Sequence, residues 1–215
     1  FFKQKTAYDV LFVDWSSDLC SSDLRHPIHV QDVARAIAWV HDHVGDHGGT
    51  ADRLFVMGHS AGGHLALLAG CDGRWLQAHG KSPAVLSGIV SLDAAAYDLP
   101  LQMDDLRAPP AVARMVANAF GTDRQVWRDA SPRLQIGAAR DTPPVLLLQT
   151  GKKAWETVPA REMLETLRAA GIPASLIPVQ DRAHTSLNRR IGTGNDPYTD
   201  AILRFLRDPR RLPGP

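Results

Sequence analysis

The sequence predicts an α/β fold built on a doubly wound, mostly parallel sheet, and three observations predict it. Four short apolar runs, Arg53–Met57, Leu86–Leu92, Val145–Leu148 and Ala174–Val179, have the pattern of strands buried on both faces of a sheet. Segments with apolar residues at helical spacing follow or precede these runs, the alternation that parallel strands with crossover helices require. One junction, Gly58-His59-Ser60-Ala61-Gly62-Gly63, passes directly from a strand into a helix.

Taken in order, the first 24 residues do not read as part of that pattern. Ser-Ser-Asp-Leu occurs at 16–19 and again at 21–24, with no capping, turn or periodic logic. Cys20–Leu24 back-translates to TGC TCT TCC GAT CT, and Lys3–Tyr8 to AAG CAG AAG ACG GCA TAC, both resembling sequencing-library adapters. Residues 1–24 are therefore expected to be an adapter artefact and are set aside from fold reasoning, leaving residues 25–215 as one domain. On this reading the chain is truncated at its N-terminus and the first strands of the sheet are missing. No leader is then visible, and a cytoplasmic location is only the default.

Val30, Val33, Ala34, Ile37, Ala38 and Val44 recur at helical spacing and predict a helix from Val30 to about Val44, closed by Gly45, Gly48 and Gly49. The strand at 53–57 leads into a helix from Ala61 to about Ala69. Residues 98–142 break the alternation with Pro100, Pro109 and Pro110 and a helix near 111–119, and read as a small cap-like excursion over one face. Further helices are expected at Pro159–Ala170, stopped by Gly171, and at Asp200–Arg207. Pro178 suits an edge strand or a strand end.

Composition narrows the function. With 24 Lys and Arg against 23 Asp and Glu, the formal charge is +1, and no field of one sign is present to recruit nucleic acid or an anionic surface. The sequence holds no run of about 18 apolar residues that would span a membrane. Two cysteines, Cys20 and Cys71, make no disulfide framework, and Cys71 reads as a small buried hydrophobe. A small-molecule partner is the better expectation.

The chemistry concentrates at Gly58–Gly63. A Gly-x-Ser-x-Gly pattern between a buried strand and a helix is a sharp turn that lifts the Ser60 hydroxyl above the sheet. Side chains at 58 or 62 would collide with the neighbouring strand and helix, and the Ala61 N–H at the helix start points toward a developing oxyanion. Serine needs a base, which in this topology follows the last strands. Of nine histidines, His26, His29, His41, His43, His47, His59, His64 and His79 lie too early, leaving His184 in the loop after 174–179. The acid that orients it is expected after the preceding strand, where Glu156 is the one carboxylate in 151–158. Ala154 occupies the position where an Asp is usual, and Asp93 at the end of 86–92 is the alternative.

From Arg25 onward the chain resembles an α/β-hydrolase of the esterase/lipase group related to hormone-sensitive lipase and kynurenine formamidase. The resemblance rests on Asp32–Val40, on the elbow with Gly62-Gly63, and on Ala183-His184-Thr185-Ser186-Leu187-Asn188 followed by Gly192. It implies hydrolysis of carboxylic esters or related amides without metal or organic cofactor. It also implies an upstream His-Gly-Gly loop completing the oxyanion hole, a place that adapter-like residues occupy here. His47-Gly48-Gly49 is expected to be a helix cap instead. His41, Asp42, His43, Asp46 and His47 read as a solvated helix end, since His41 and His43 fall on different faces. Lys152, Lys153, Arg189 and Arg190 read as surface charge, and Tyr97, Met103 and Trp127 either line an acyl pocket or simply pack. The leading expectation is a serine carboxylesterase for small or medium acyl groups. An arylformamidase and a catalytically silent fold are the alternatives.

Overall fold

The computed structural model describes residues 9–13, 24–137 and 141–211. Strand β1 is Asp9–Val13, β2 Leu54–His59, β3 Leu86–Leu92, β4 Val145–Gln149 and β5 Ala174–Pro178. Helix α1 is Ile28–His43, α2 Ala61–Cys71 and α3 Gly73–Gln77; α4 (Pro110–Phe120), α5 (Arg124–Asp129) and α6 (Pro132–Gln135) follow β3. Helix α7 is Ala154–Ala169, α8 His184–Arg190 and α9 Pro197–Arg207.

The five strands form one parallel sheet in the order β1-β2-β3-β4-β5. Three neighbouring strand pairs are joined by a further backbone bond at the C-terminal edge: Ser60 N–H donates to Leu92 O at 2.8 Å, Asp93 N–H to Leu148 O at 2.7 Å and Val179 N–H to Gln149 O at 2.8 Å. The residues that follow β2, β3 and β5 are thereby held side by side along that edge, the usual place for a site in an open α/β sheet.

Both faces are covered. Leu54 and Val56 of β2 and Val145 and Leu147 of β4 pack with α1, α2 and α7, through Val33, Ile37, Leu67, Leu68, Met163 and Leu167 among others. The alternate residues, Phe55, Leu146 and Leu148, face Ile202, Phe205 and Leu206 of α9. That two-sided burial is why these strands read as continuous apolar runs rather than as an alternation. Gly88 has no side chain because the Phe205 ring fills the space: a Cβ there would lie 2.8 Å from it.

The predicted strands are present, with edges moved by a residue or two. Helix α7 begins at Ala154 rather than Pro159 and carries Pro159 within its first turns. Strand β1, Asp9–Val13, lies inside the segment set aside as an adapter artefact and pairs with Leu54–Gly58. The five residues Asp-Val-Leu-Phe-Val have β-forming composition, and parallel pairing uses backbone groups that any such stretch supplies. The Ser-Ser-Asp repeat at 16–23 and Cys20 lie outside the described residues. The excursion after β3 holds a π-helical turn, Leu101–Asp105, and α4–α6 over one end of the sheet. Gly48, with φ of 78°, closes the turn after α1, so His47-Gly48-Gly49 is a helix terminus as expected. Among the described residues no helix is long and apolar enough to cross a membrane.

Candidate active site

Ser60 sits between the last residue of β2 and the first of α2 with φ 57° and ψ −121°, a conformation costly for a residue with a Cβ. The turn is possible because its neighbours are glycines. A Cβ on Gly58 would lie 2.2 Å from the backbone C and O of Gly62, and one on Gly63 would lie 2.7 Å from Ser91 Oγ. Ala61 opens α2, so its N–H belongs to the helix N-terminus, where donors lack intrahelical partners. The place of the upstream His-Gly-Gly loop lies outside the described residues.

His184, predicted in a loop, is the first residue of α8 and stands half exposed at the C-terminal edge of the sheet. Its Nδ1 lies 2.7 Å from Oδ2 of Asp93. Its ring lies against that of His59, with centroids 4.4 Å apart, and His59 Nε2–H donates to the His184 carbonyl at 3.1 Å. His59 is the residue before Ser60, so this contact ties the loop carrying the imidazole to the elbow carrying the hydroxyl.

The carboxylate against His184 is that of Asp93 and not that of Glu156. Glu156 stands in the first turn of α7, where Oε2 accepts the backbone N–H groups of Lys152 and Lys153, each at 3.0 Å. Because the helix starts at Ala154, the first acidic side chain available falls at a position that satisfies the helix's own orphan donors. Asp93, buried and with φ of 50°, follows β3 directly. Besides His184, it accepts Thr150 Oγ1–H at 2.5 Å, Thr150 N–H at 2.7 Å and Gln149 Nε2–H at 2.8 Å. Burial works to raise its carboxyl, but the hydrogen bonds from His184 and Thr150 outweigh that and hold it below the usual carboxylate range. Asp93 is thus ionised, accepts only, and fixes the His184 proton on Nδ1, leaving Nε2 as the basic nitrogen.

A second device holds this loop. Arg182, two residues before His184, is buried against Asp196, which also caps α9 through the N–H groups of Tyr198 and Thr199. The Arg182 guanidinium lies 4.7 Å from the Tyr198 ring centroid, and the Tyr198 hydroxyl donates to Asp181 at 2.6 Å. In the sequence, Asn195-Asp196-Pro197 is a helix-start pattern that carries no sign of the pairing with Arg182.

Beside Ser60 and Ala61 opens a cleft of about 110 Å3, walled by α4 through Val112, Met115, Val116 and Phe120 and by the histidines His26, His29 and His64. Tyr97, Met103 and Trp127 do not line it. Tyr97 is fully buried with its hydroxyl 3.1 Å from Ser91 Oγ, and Trp127 packs with Leu99, Val116 and Met103 in the core of the excursion. His64 donates to Ala130 O at 2.7 Å, and burial pulls its pKa down to about 4. Burial pushes the Cys71 thiol up to about 12, consistent with a packing role. Lys152, Lys153, Arg189 and Arg190 are exposed, as is most of the His41–His47 stretch, and the described residues hold no cluster of histidine, cysteine and carboxylate groups that could bind a metal.

A parallel sheet covered on both faces, with a strained serine at a strand-to-helix turn on its C-terminal edge, defines an α/β-hydrolase of the esterase/lipase type. The chain belongs to the BD-FAE family, whose model matches residues 4–163. It is 27% identical over 192 residues to esterase LipQ of Mycobacterium tuberculosis, covering 84% of this chain and 44% of that protein. To esterase LipC of the same organism it is 32% identical over 197 residues, covering 87% of this chain and 48% of that one. The acetyl ester-xyloside bifunctional hydrolase from Caldicellulosiruptor lactoaceticus shares the fold, with a TM-score of 0.67 at 19% identity over 88% of this chain and 68% of that one. The chain spans about half the length of the curated relatives it matches.

Proposed function

We propose that the protein is a serine carboxylesterase acting on esters of small or medium acyl groups, with Ser60 as nucleophile, His184 as general base and Asp93 as the acid that orients it. The observation that carries the reading is the 2.7 Å contact between His184 Nδ1 and Asp93 Oδ2 beside the strained Ser60. In the acylation step, His184 Nε2 takes the Ser60 proton as Oγ attacks the ester carbonyl, and the imidazolium is stabilised by the Asp93 carboxylate. The Ala61 N–H donates to the developing oxyanion. The proton then passes from Nε2 to the leaving alkoxide, releasing the alcohol and the acyl-enzyme. Water, deprotonated by the same nitrogen, attacks the acyl-enzyme and frees the acid and Ser60. No step requires a metal or an organic cofactor.

A fluorophosphonate probe followed by peptide mass spectrometry tests the nucleophile. Labelling on Ser60, absent in Ser60→Ala, is expected. A folded protein that is not labelled at Ser60 contradicts the reading and returns the fold to the catalytically silent class. Competing p-nitrophenyl butyrate against N-formylkynurenine tests the substrate class, and a higher kcat/KM for the formamide would replace carboxylesterase by arylformamidase.

A further inference from the structure

Asp93 fixes one point on the His184 ring and leaves its tilt open. The 2.7 Å hydrogen bond holds Nδ1, but the side chain is half exposed, and the torsion that swings an imidazole about its Cβ–Cγ bond has broad minima. Pivoting about Nδ1 moves Nε2, the nitrogen that exchanges a proton with Ser60. A second contact is needed to set the tilt, and His59 supplies it. Its ring lies against the His184 ring with centroids 4.4 Å apart and planes 40° apart, and its Nε2–H donates to the His184 carbonyl at 3.1 Å.

His59 is itself firmly held. It is 3% exposed, it is the last residue of β2, and it pairs across the sheet with Leu92, the residue before Asp93. Ser60 and Asp93 thus follow paired residues on adjacent strands, and His184 is tied to both strand ends, to β3 through Asp93 and to β2 through His59. Strands hold a functional group more precisely than loops do, and a working geometry tolerates errors of only about 0.5 Å and 10–20°.

We propose that His59 is a positioning residue for the hydrolytic reaction: its ring and its Nε2–H set the tilt of the His184 imidazole and the place of its backbone, and through them the aim of Nε2. The proposal rests on the hydrolase reading of Ser60, His184 and Asp93. His59 does not line the cleft beside Ser60, so it acts through His184 rather than on the ester. Acylation and deacylation use the same nitrogen. Loss of His59 therefore slows both and leaves ester binding as it was, a change in kcat rather than in KM.

The test compares the wild-type protein with His59→Leu, His59→Phe and His59→Gln on p-nitrophenyl butyrate, reading kcat and KM separately and checking folding by thermal unfolding. Leucine fills space with neither ring face nor donor, phenylalanine restores the ring alone, and glutamine restores a donor alone. In His59→Leu, kcat is expected to fall about 10–100-fold with KM within about threefold of the wild type, since a 1 Å misplacement costs about a hundredfold in rate. His59→Phe, His59→Gln or both should recover part of the loss, and the variant that does so says which contact carries the effect. A folded His59→Leu with kcat within about twofold of the wild type, a loss confined to KM, or no recovery in either folded variant overturns the proposal. If His59→Leu does not fold, the other two decide: a fall in kcat alone in at least one of them supports the proposal, and wild-type kcat in both overturns it.

The ring is also read without turnover. With 15N-labelled histidine, the Nδ1–H of His184, assigned by its absence in His184→Gln, should give a proton resonance in the wild type. Exchange with water should remove it in His59→Leu, where the imidazole is free to swing away from Asp93. A folded protein without esterase turnover that shows this loss fails as a hydrolase and keeps the positioning contact; one in which the resonance persists loses both. A protein that turns over ester with the same kcat in all four forms keeps the hydrolase and loses the positioning residue.

Discussion

Asp93 and Glu156 differ by what surrounds a carboxylate rather than by the carboxylate itself. Asp93 accepts four hydrogen bonds at the end of β3, one of them from His184, whereas Glu156 accepts two backbone donors at the start of α7. Their losses should therefore be different in kind. Glu156→Gln keeps an acceptor and loses the charge, and is expected to lower stability by about 0.3–1 kcal/mol, the range for a charge near a helix N-terminus, as measured by urea unfolding. Asp93 also makes acid stability depend on its charge. Its folded-state pKa lies below that of the unfolded chain, so its contribution is complete above about pH 4 and is lost as pH falls through the lower folded value. The stability difference between wild type and Asp93→Asn should narrow as pH is lowered from 5 to 2; a constant difference would show that the carboxylate is not held ionised by its partners. Ser60 and His184 were legible as residues because motif, strand order and elimination all agreed. The carboxylate that meets His184 was not, because choosing between two carboxylates at neighbouring strand ends depends on where α7 begins. Ala154 marked the departure from the usual pattern without saying which residue replaces the Asp.

At the scale of elements, the elbow and α9 are the two junctions that position the site. Gly58 and Gly62 approach so closely that a methyl at 58 cannot be accommodated without moving backbone, so Gly58→Ala should cost at least about 4 kcal/mol or prevent folding. A smaller loss would show that the turn can relax. Helix α9 buries Phe205 fully, edge-on to Phe55 with ring centroids 6.1 Å apart. Phe205→Ala should destabilise by about 3–5 kcal/mol in chemical denaturation, because the ring fills the space above Gly88 beside Phe55. Both elements were visible in the sequence, one as strand–Ser–helix and the other as a helix beyond the last strand. What periodicity did not reveal was α8, since His184–Arg190 is a short helix with one buried apolar residue, Leu187, and offers no stripe to detect. The clasp between Arg182 and Asp196 was equally invisible, because a pair 14 residues apart is brought together only by the turn after α8.

Across the whole molecule, the parallel sheet and the two-sided core followed from the apolar runs, which are continuous because helices cover both faces. The edge strand β1 did not follow, because its residues read as foreign to the fold. We retain as a proposal that residues 1–24 derive from an adapter, and resequencing the source DNA across the start of the reading frame checks it: their persistence there would contradict it. Stability toward acid belongs to the molecule as a whole. His64 is buried in the first turn of α2 and stays neutral to about pH 4, while a histidine in the unfolded chain takes up its proton near pH 6.5. The folded state should therefore lose up to about 3 kcal/mol as pH falls from 6.5 to 4, with no such loss above 6.5. His64→Gln, which keeps a donor for the Ala130 carbonyl, should flatten that slope. An unchanged slope would show that His64 takes up its proton without unfolding.

The measurement that bears most directly on the account is the kcat/KM for p-nitrophenyl butyrate of the wild-type protein beside Asp93→Asn and Glu156→Gln. Turnover by the wild type is expected, with a fall of about 10^3–10^4-fold in Asp93→Asn, through loss of the oriented imidazole, and a change within about threefold in Glu156→Gln. The reverse order, or a wild-type protein that is folded and inactive, would contradict it.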